Sequence, residues 1–140
     1  MGCRHRVGRG ARGRAAALGL LWAAACGGEL ALRPLEVEVV GLSSDAAALT
    51  VKLALPDRAP SCSGLDPAAA AAAPAEREAT WTRDAAEPRT LTLEPVEAEA
   101  IRVIAVALDA DAAPLQAGCL DVDFRAIERP EVEIILSAPP

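Results

Sequence analysis

The chain has 140 residues, which is room for one domain, and a net charge of −6 at pH 7. The charge is divided along the chain: the first 14 positions hold five arginines and no acidic residue, whereas the remainder holds 9 basic and all 20 acidic residues, a net charge of −11. Nucleic-acid binding draws most of its affinity from lysine and arginine neutralising phosphates. An acidic domain whose single lysine is Lys52 is therefore predicted not to bind nucleic acid, nor to adhere by charge to anionic lipid.

The first 25 residues have the order of a secretory signal peptide. A basic stretch, residues 1–14, precedes an apolar run of 11 residues, Ala15–Ala25, that ends in small residues suited to cleavage. Eleven helical residues span about 16 Å, roughly half the hydrocarbon core of a bilayer. The sequence therefore predicts export with removal of residues 1–25 rather than a transmembrane helix.

Cys26 stands at the predicted cleavage point. Ala23-Ala24-Ala25-Cys26 resembles the lipobox of bacterial lipoproteins, in which the cysteine thiol is diacylated and becomes the first residue of the mature protein. The family usually carries leucine where this chain has Ala23. The resemblance implies stable membrane attachment through acyl chains on Cys26, with residues 26–34 as the lipidated cysteine and tether. The alternative is ordinary cleavage at the same bond, which releases a soluble periplasmic or secreted protein.

Two of the four cysteines remain for the domain. Cys3 falls in the predicted signal peptide and Cys26 at the lipidation point, which leaves Cys62 and Cys119. In an oxidising compartment, this pair predicts one disulfide with a single connectivity. A structural zinc site would use four cysteine or histidine ligands, and a redox pair is normally Cys-x-x-Cys. Neither pattern is present, so the predicted disulfide is structural.

After residue 34, apolar and polar residues alternate with a period of two, which predicts β-strands. The predicted strands are 35–39, 49–55, 80–82, 89–93, 101–108, 120–125 and 131–136. The gaps between them are too short for helical crossovers, so antiparallel pairing is expected. Residues 35–140 are therefore predicted to form a single all-β domain, an antiparallel two-sheet β-sandwich of about seven strands.

One segment does not follow the alternation. Asp66 is suited to cap a helix and Pro67 to begin one, and the six alanines Ala68–Ala73 are strong helix formers. Pro74 would end such a helix after about two turns. The sequence allows either a short helix or a low-complexity loop here. In both cases the segment is an insertion next to Cys62.

The layout of residues 35–136 resembles the immunoglobulin-like and fibronectin type III-like domains of bacterial surface lipoproteins. One predicted strand ends in Leu-Asp-Ala-Asp at residues 108–111. A turn then leads to Gly118-Cys119 and a further strand. The resemblance implies a sandwich carried at the cell envelope. The chain departs from true immunoglobulin domains at Ala117, where a tyrosine would precede Cys119 by two residues.

The residues needed for catalysis are scarce. His5, the single histidine, lies in the predicted signal peptide, tyrosine is absent, and a disulfide leaves no thiolate nucleophile. Two carboxylate pairs, Glu36/Glu38 and Glu131/Glu133, are of the kind that cleaves glycosides. Each pair lies on the polar face of an alternating strand, where a solvated surface is the ordinary explanation. The chain is therefore predicted not to be an enzyme and to use no cofactor.

Four aspartates are the candidates for cation ligands: Asp109, Asp111, Asp121 and Asp123. They would supply several oxygens to Ca²⁺ if the flanking strands paired so that the four converged. The chain has no EF-hand spacing, and solvated aspartates on a turn and a strand are the ordinary interpretation, so no metal site is predicted.

Two functions remain after these exclusions. The first is a non-catalytic structural or protein-interaction module, anchored by lipid in the cell envelope, at the outer membrane of a Gram-negative bacterium, with an envelope or surface protein as partner. The second is a secreted or anchored β-sandwich that binds a small ligand or Ca²⁺ through acidic loops.

Overall fold

The computed structural model describes residues 33–83, 90–123 and 131–139. The predicted signal peptide and Cys26 lie outside the described residues. The strands and the helix are β1 Leu35–Val40, β2 Ala48–Ala54, α1 Pro67–Ala72, β3 Arg77–Thr82, β4 Thr90–Leu93, β5 Ala100–Leu108, β6 Pro114–Asp123 and β7 Glu131–Ile135. They form sheet A, in the order β4-β1-β7, and sheet B, in the order β3-β2-β5-β6. The predicted all-β, two-sheet sandwich with seven strands is confirmed.

One strand pair differs from the antiparallel expectation. β1 and β7 pair in parallel, with Glu36 beside Glu131 and Val40 beside Ile135, whereas the other strand pairs are antiparallel. A parallel pair needs a long connection, and here the rest of the domain supplies it. The short gaps in the sequence exclude parallel pairing only for strands that follow one another along the chain.

The main core lies between the two sheets. Leu35, Val37 and Val39 of β1 are at most 1% exposed, and they meet alternate residues of sheet B such as Val51 and Val103. Each such side chain contributes about 1.5–3 kcal/mol when fully buried. The period of two therefore decides which residues of β1 enter the core and leaves the glutamates between them on the outer face.

A second, smaller core covers the opposite face of sheet B. Ile104 and Val106 of β5 are buried there against Ala70 of α1, Ala73 directly after the helix and Ala117 of β6. β5 is thus buried on both faces, which explains why its sequence is apolar at consecutive positions.

The alanine run forms a short helix, which answers the question that the sequence left open. Asp66 caps α1, with its Oδ1 accepting a hydrogen bond from the backbone N–H of Ala69 at 2.9 Å. Pro67 stands in the first turn, where its missing N–H costs nothing. The helix ends at Ala72, two residues before Pro74, because a proline cannot continue it.

Residues 55–76, which connect β2 to β3 and include α1, are called the strap below. The predicted disulfide joins Cys62 of the strap to Cys119 of β6, with the two Cα atoms 5.2 Å apart. In the chain-entropy model, closing a loop of 57 residues stabilises the fold by about 4 kcal/mol. The disulfide therefore holds the strap against the outer face of sheet B.

Lys52 of β2 makes a second tie to the strap. The residue is only 7% exposed, and its Nζ donates hydrogen bonds to the carbonyl oxygens of Ala71 at 2.6 Å, Ala73 at 3.0 Å and Ala70 at 3.4 Å. The last carbonyls of a helix lack the usual donor four residues further on, and they carry the negative end of the helix dipole. Here the carbonyl of Ala70 also accepts a hydrogen bond from the N–H of Ala73 at 3.3 Å. Three carbonyls match the three donors of an ammonium group, so burial of this charge is compensated.

Replacing Lys52 by methionine should destabilise the domain by about 1–3 kcal/mol, because buried carbonyls at the end of α1 lose their donor while the aliphatic stem is kept. Chemical denaturation followed by tryptophan fluorescence measures the change. The control is Arg58→Met, which removes the exposed Arg58–Glu76 ion pair of 3.5 Å and should cost at most about 1 kcal/mol. Equal losses in the two variants would contradict the role given to Lys52.

Candidate interaction surface

The sandwich has two outer faces, and only one of them is covered by another described element. The strap lies on the outer face of sheet B. On sheet A the outward residues of β1 and β7 are exposed to solvent. The outer face of sheet A is therefore the open flat surface of the described domain.

Four glutamates stand in two rows on this open face. The parallel register places Glu36 beside Glu131 and Glu38 beside Glu133, and we call these four residues the acidic ladder. β4 adds hydroxyl side chains to the same two rows, since Thr92 pairs with Glu36 and Thr90 with Glu38. The ladder lines a shallow groove of about 380 Å³ together with Thr90 and Val132.

Two apolar side chains extend the ladder at one end. Val40 and Ile135 are the next outward pair of β1 and β7, and they are 36% and 65% exposed. The face therefore combines a charged part and an adjoining apolar part on the same two strands. Exposed apolar side chains beside charged ones are typical of protein interaction surfaces.

Repulsion between the glutamates of the ladder destabilises sheet A. Like charges directly opposite each other on neighbouring strands destabilise a sheet by roughly 0.2–1 kcal/mol per pair. The arrangement can attract cationic side chains. Among the described residues, no group of three or more histidine, cysteine or acidic side chains is placed to hold a metal ion.

The sequence predicted the two glutamate pairs as separate solvated faces, and the structure joins them. The missed signal is a repeated pattern: 36–40 reads Glu-Val-Glu-Val-Val and 131–135 reads Glu-Val-Glu-Ile-Ile. Strands with the same pattern bury the same positions, so they can lie side by side in register. The parallel pairing of β1 and β7 is what turns two pairs into one ladder.

The four aspartates considered as calcium ligands are not brought together. Asp109 lies in the turn between β5 and β6, where its Oδ1 accepts hydrogen bonds from the backbone N–H groups of Asp111 and Ala113, both at 2.8 Å. Asp121 and Asp123 pair with residues near the other end of β5. Six residues of strand separate the two groups, which is about 20 Å. The hypothesis that all four converge is therefore wrong, because the hairpin register moves them apart.

Asp121 instead forms an ion pair with Arg102. The guanidinium Nε donates to Oδ1 at 2.7 Å and Nη2 donates to Oδ2 at 3.0 Å, a bidentate arrangement. Nη1 of the same arginine donates to three strap carbonyls, those of Pro60 at 2.8 Å and of Pro56 and Ala59 at 3.3 Å. The Arg102 side chain is 11% exposed and that of Asp121 is 56% exposed. The pair is a structural tie for the strap rather than a ligand site.

The hydrogen bonds from Arg102 hold the pKa of Asp121 below the ordinary carboxyl value of 3.8, and Asp121 raises the pKa of Arg102 in return. A carboxyl whose pKa is depressed by folding stabilises the protein above its unfolded pKa, and that contribution disappears as pH falls through the folded pKa. The stability difference between wild type and Asp121→Asn should therefore be constant near neutral pH and shrink below about pH 4.

Thermal unfolding of both proteins at pH 7 and across the range below pH 4 measures this difference. The control for the loss of one negative charge is Asp57→Asn, which changes an exposed carboxylate of the strap. A difference between wild type and Asp121→Asn that does not shrink in acid would contradict the assignment of the depressed pKa to this ion pair.

Comparison with known proteins supplies no relative for this domain. No protein-family model matches the chain, and no match is found among curated proteins or solved structures. Within the part of the chain that the structure describes, no helix is long and apolar enough to cross a membrane. Function has to be inferred from the residues of this chain itself.

Proposed function

We propose that the protein is a non-catalytic interaction module, anchored by lipid on Cys26 in the envelope of a Gram-negative bacterium, and that the outer face of sheet A binds its partner. One observation carries the binding part of this proposal. The acidic ladder and the exposed pair Val40/Ile135 share one open face, whereas the strap covers the opposite face.

The chemistry of the face indicates the chemistry of the partner. Four carboxylates in two rows favour a protein surface with arginine or lysine side chains at a matching spacing, because complementary charge speeds encounter and fixes orientation. Val40 and Ile135 offer a small apolar contact beside them, which a purely ionic surface would lack. An envelope or surface protein with a basic, partly apolar patch fits both parts.

Export and anchoring are supported by the sequence and by the disulfide. A basic segment, an apolar run of 11 residues and small residues before Cys26 have the order of a lipoprotein signal. The bond between Cys62 and Cys119 favours an oxidising compartment, since structural disulfides are rare in the cytosol. Calcium binding by the four aspartates is disfavoured, because they lie in two separated groups.

Replacing Cys26 by serine should abolish lipid attachment, since serine has no thiol to acylate. In a bacterial host, wild-type protein should be found in the membrane fraction with an acylated residue 26 at its N-terminus by mass spectrometry, and the variant should not be acylated. Cys3→Ser is the matched control and should behave as wild type, because residue 3 is removed with the signal. Wild-type protein with an unmodified Cys26 would disprove the anchor while leaving export intact.

Neutralising the ladder should separate binding from stability. The double variant Glu38→Gln/Glu133→Gln removes one directly opposed pair, so unfolding should require roughly 0.2–1 kcal/mol more free energy. If the ladder binds a basic partner, the same variant should lose cross-linking to envelope proteins from a photoreactive residue placed at position 135.

The control variant is Glu97→Gln, which changes an exposed loop glutamate and should alter neither readout. A photoreactive residue at Ala68, on the exposed side of α1, reports cross-linking away from the ladder. Equal cross-linking from positions 135 and 68, or cross-linking from position 135 that survives the double variant, would overturn the assignment of this face.

A further inference from the structure

The strap contributes almost nothing to the main core. The buried residues between the two sheets come from the strands, from Ala46 and from Leu136, and Leu55, at the first position of the strap, is partly buried and packs against them. The fully buried strap residues in the smaller core are the alanines Ala70 and Ala73, and the partly buried Ala59, Leu65 and Ala71 pack against this core. Each alanine methyl contributes only about 0.8 kcal/mol by burial. Packing alone therefore holds the strap weakly.

The main chain of the strap is also weakly joined to the sheet. Among the described residues, its backbone bond to a strand is the one from the N–H of Glu76 to the carbonyl of Leu53 at 2.8 Å, at the point where β3 begins. Its other backbone bonds of this kind stay inside the strap, such as that from Ala70 to Asp66. A six-residue helix is not stable in isolation. The strap keeps its position through ties made by side chains.

Within the described residues, three ties hold the strap to sheet B, and one of them is covalent. Lys52 and Arg102 bind strap carbonyls by hydrogen bonds that can break and re-form. The disulfide between Cys62 and Cys119 prevents the middle of the strap from leaving β6 at all. Both cysteines are partly exposed, so a reductant can reach them.

We infer that the strap is a disulfide-locked cover, which opens as a unit when Cys62–Cys119 is reduced while the sandwich stays folded. A thiolate of a dithiol reductant attacks one sulfur, and the other leaves as a thiolate that takes a proton. The second thiol of the reductant then releases the mixed disulfide, so that the protein gains two thiols and the reductant becomes a disulfide. Opening uncovers Ile104 and Val106, an apolar strip on the face opposite the acidic ladder. This inference does not depend on the proposed partner of sheet A.

Hydrogen exchange measured by mass spectrometry on the full chain, oxidised and after treatment with dithiothreitol, tests the inference. Amides of residues 66–73 should exchange about 10-fold faster or more after reduction and should lose their protection, whereas those of β2 and β5 should stay protected, at a rate raised only by the loss of about 4 kcal/mol of global stability. Binding of a dye that fluoresces on apolar surfaces should rise at the same time, because the strip on β5 becomes accessible.

Two variants keep the result specific to this disulfide. Cys62→Ala/Cys119→Ala, studied without reductant, should reproduce the exchange pattern of the reduced protein. Cys26→Ser should respond to reductant as wild type does, because its strap disulfide is unchanged. Unaltered exchange in residues 66–73 after reduction would show that the disulfide is not the lock. Loss of protection in β2 and β5 together with the strap would show that the strap belongs to one cooperative unit, and either result overturns the inference.

Discussion

The parallel pairing of β1 with β7 is the constraint on which sheet A depends. β1 is the central strand of that sheet, and β4 and β7 each pair with it rather than with each other. The pairing joins the first and last strands of the domain, so the sheet cannot be completed until the whole chain between them is in place. Contacts between such distant parts of a chain are costly in entropy, and they generally make folding slower. The same register also sets the outward glutamates side by side. One strand pairing therefore both completes sheet A and forms the acidic ladder.

Among the described residues, the two outer faces of the sandwich differ because an inserted segment, the strap, lies on sheet B and none lies on sheet A. In sheet B, the outward face of β2 and β5 is apolar at Ile104 and Val106, and the charged side chains Lys52 and Arg102 on that face donate to strap carbonyls. In sheet A, the outward positions of β1 and β7 are the four glutamates and the pair Val40/Ile135, and they remain exposed to solvent. A two-sheet domain with both outer faces solvated would alternate polar and apolar residues on every strand. β5 does not alternate in this way because the strap covers its outer face.

Much of the fold follows from the sequence, since the period of two locates all seven strands and one cysteine pair is left for the disulfide. Strand ends were less predictable: β6 begins at Pro114, six residues before its predicted start, because Gln116 to Gly118 carry no alternation. Gly118 is needed there because a Cβ would lie 2.7 Å from the carbonyl oxygen of Ile135. This contact between distant strands leaves no local trace in the sequence.

The candidate site was predictable only in part. Glu36/Glu38 and Glu131/Glu133 were found as pairs, but their union needs the parallel register, which depends on the whole fold. Lys52 and Arg102 are charged residues inside otherwise apolar strands, a local sign that each has a buried partner. The identity of those partners depends on where the strap lies. Sequence could therefore locate these charges but not the carbonyls that they bind.

The position of the ladder on an edge strand has a consequence for how copies of the protein behave towards each other. β7 lies at the edge of sheet A, and its sequence is rich in β-branched residues that favour pairing with another strand. Glu131 and Glu133 place negative charge along that edge, so two copies that approach through β7 repel each other. Such charged residues act as gatekeepers against aggregation. Concentrated salt screens this repulsion, so the colloidal stability of the protein should depend on ionic strength more than its fold does.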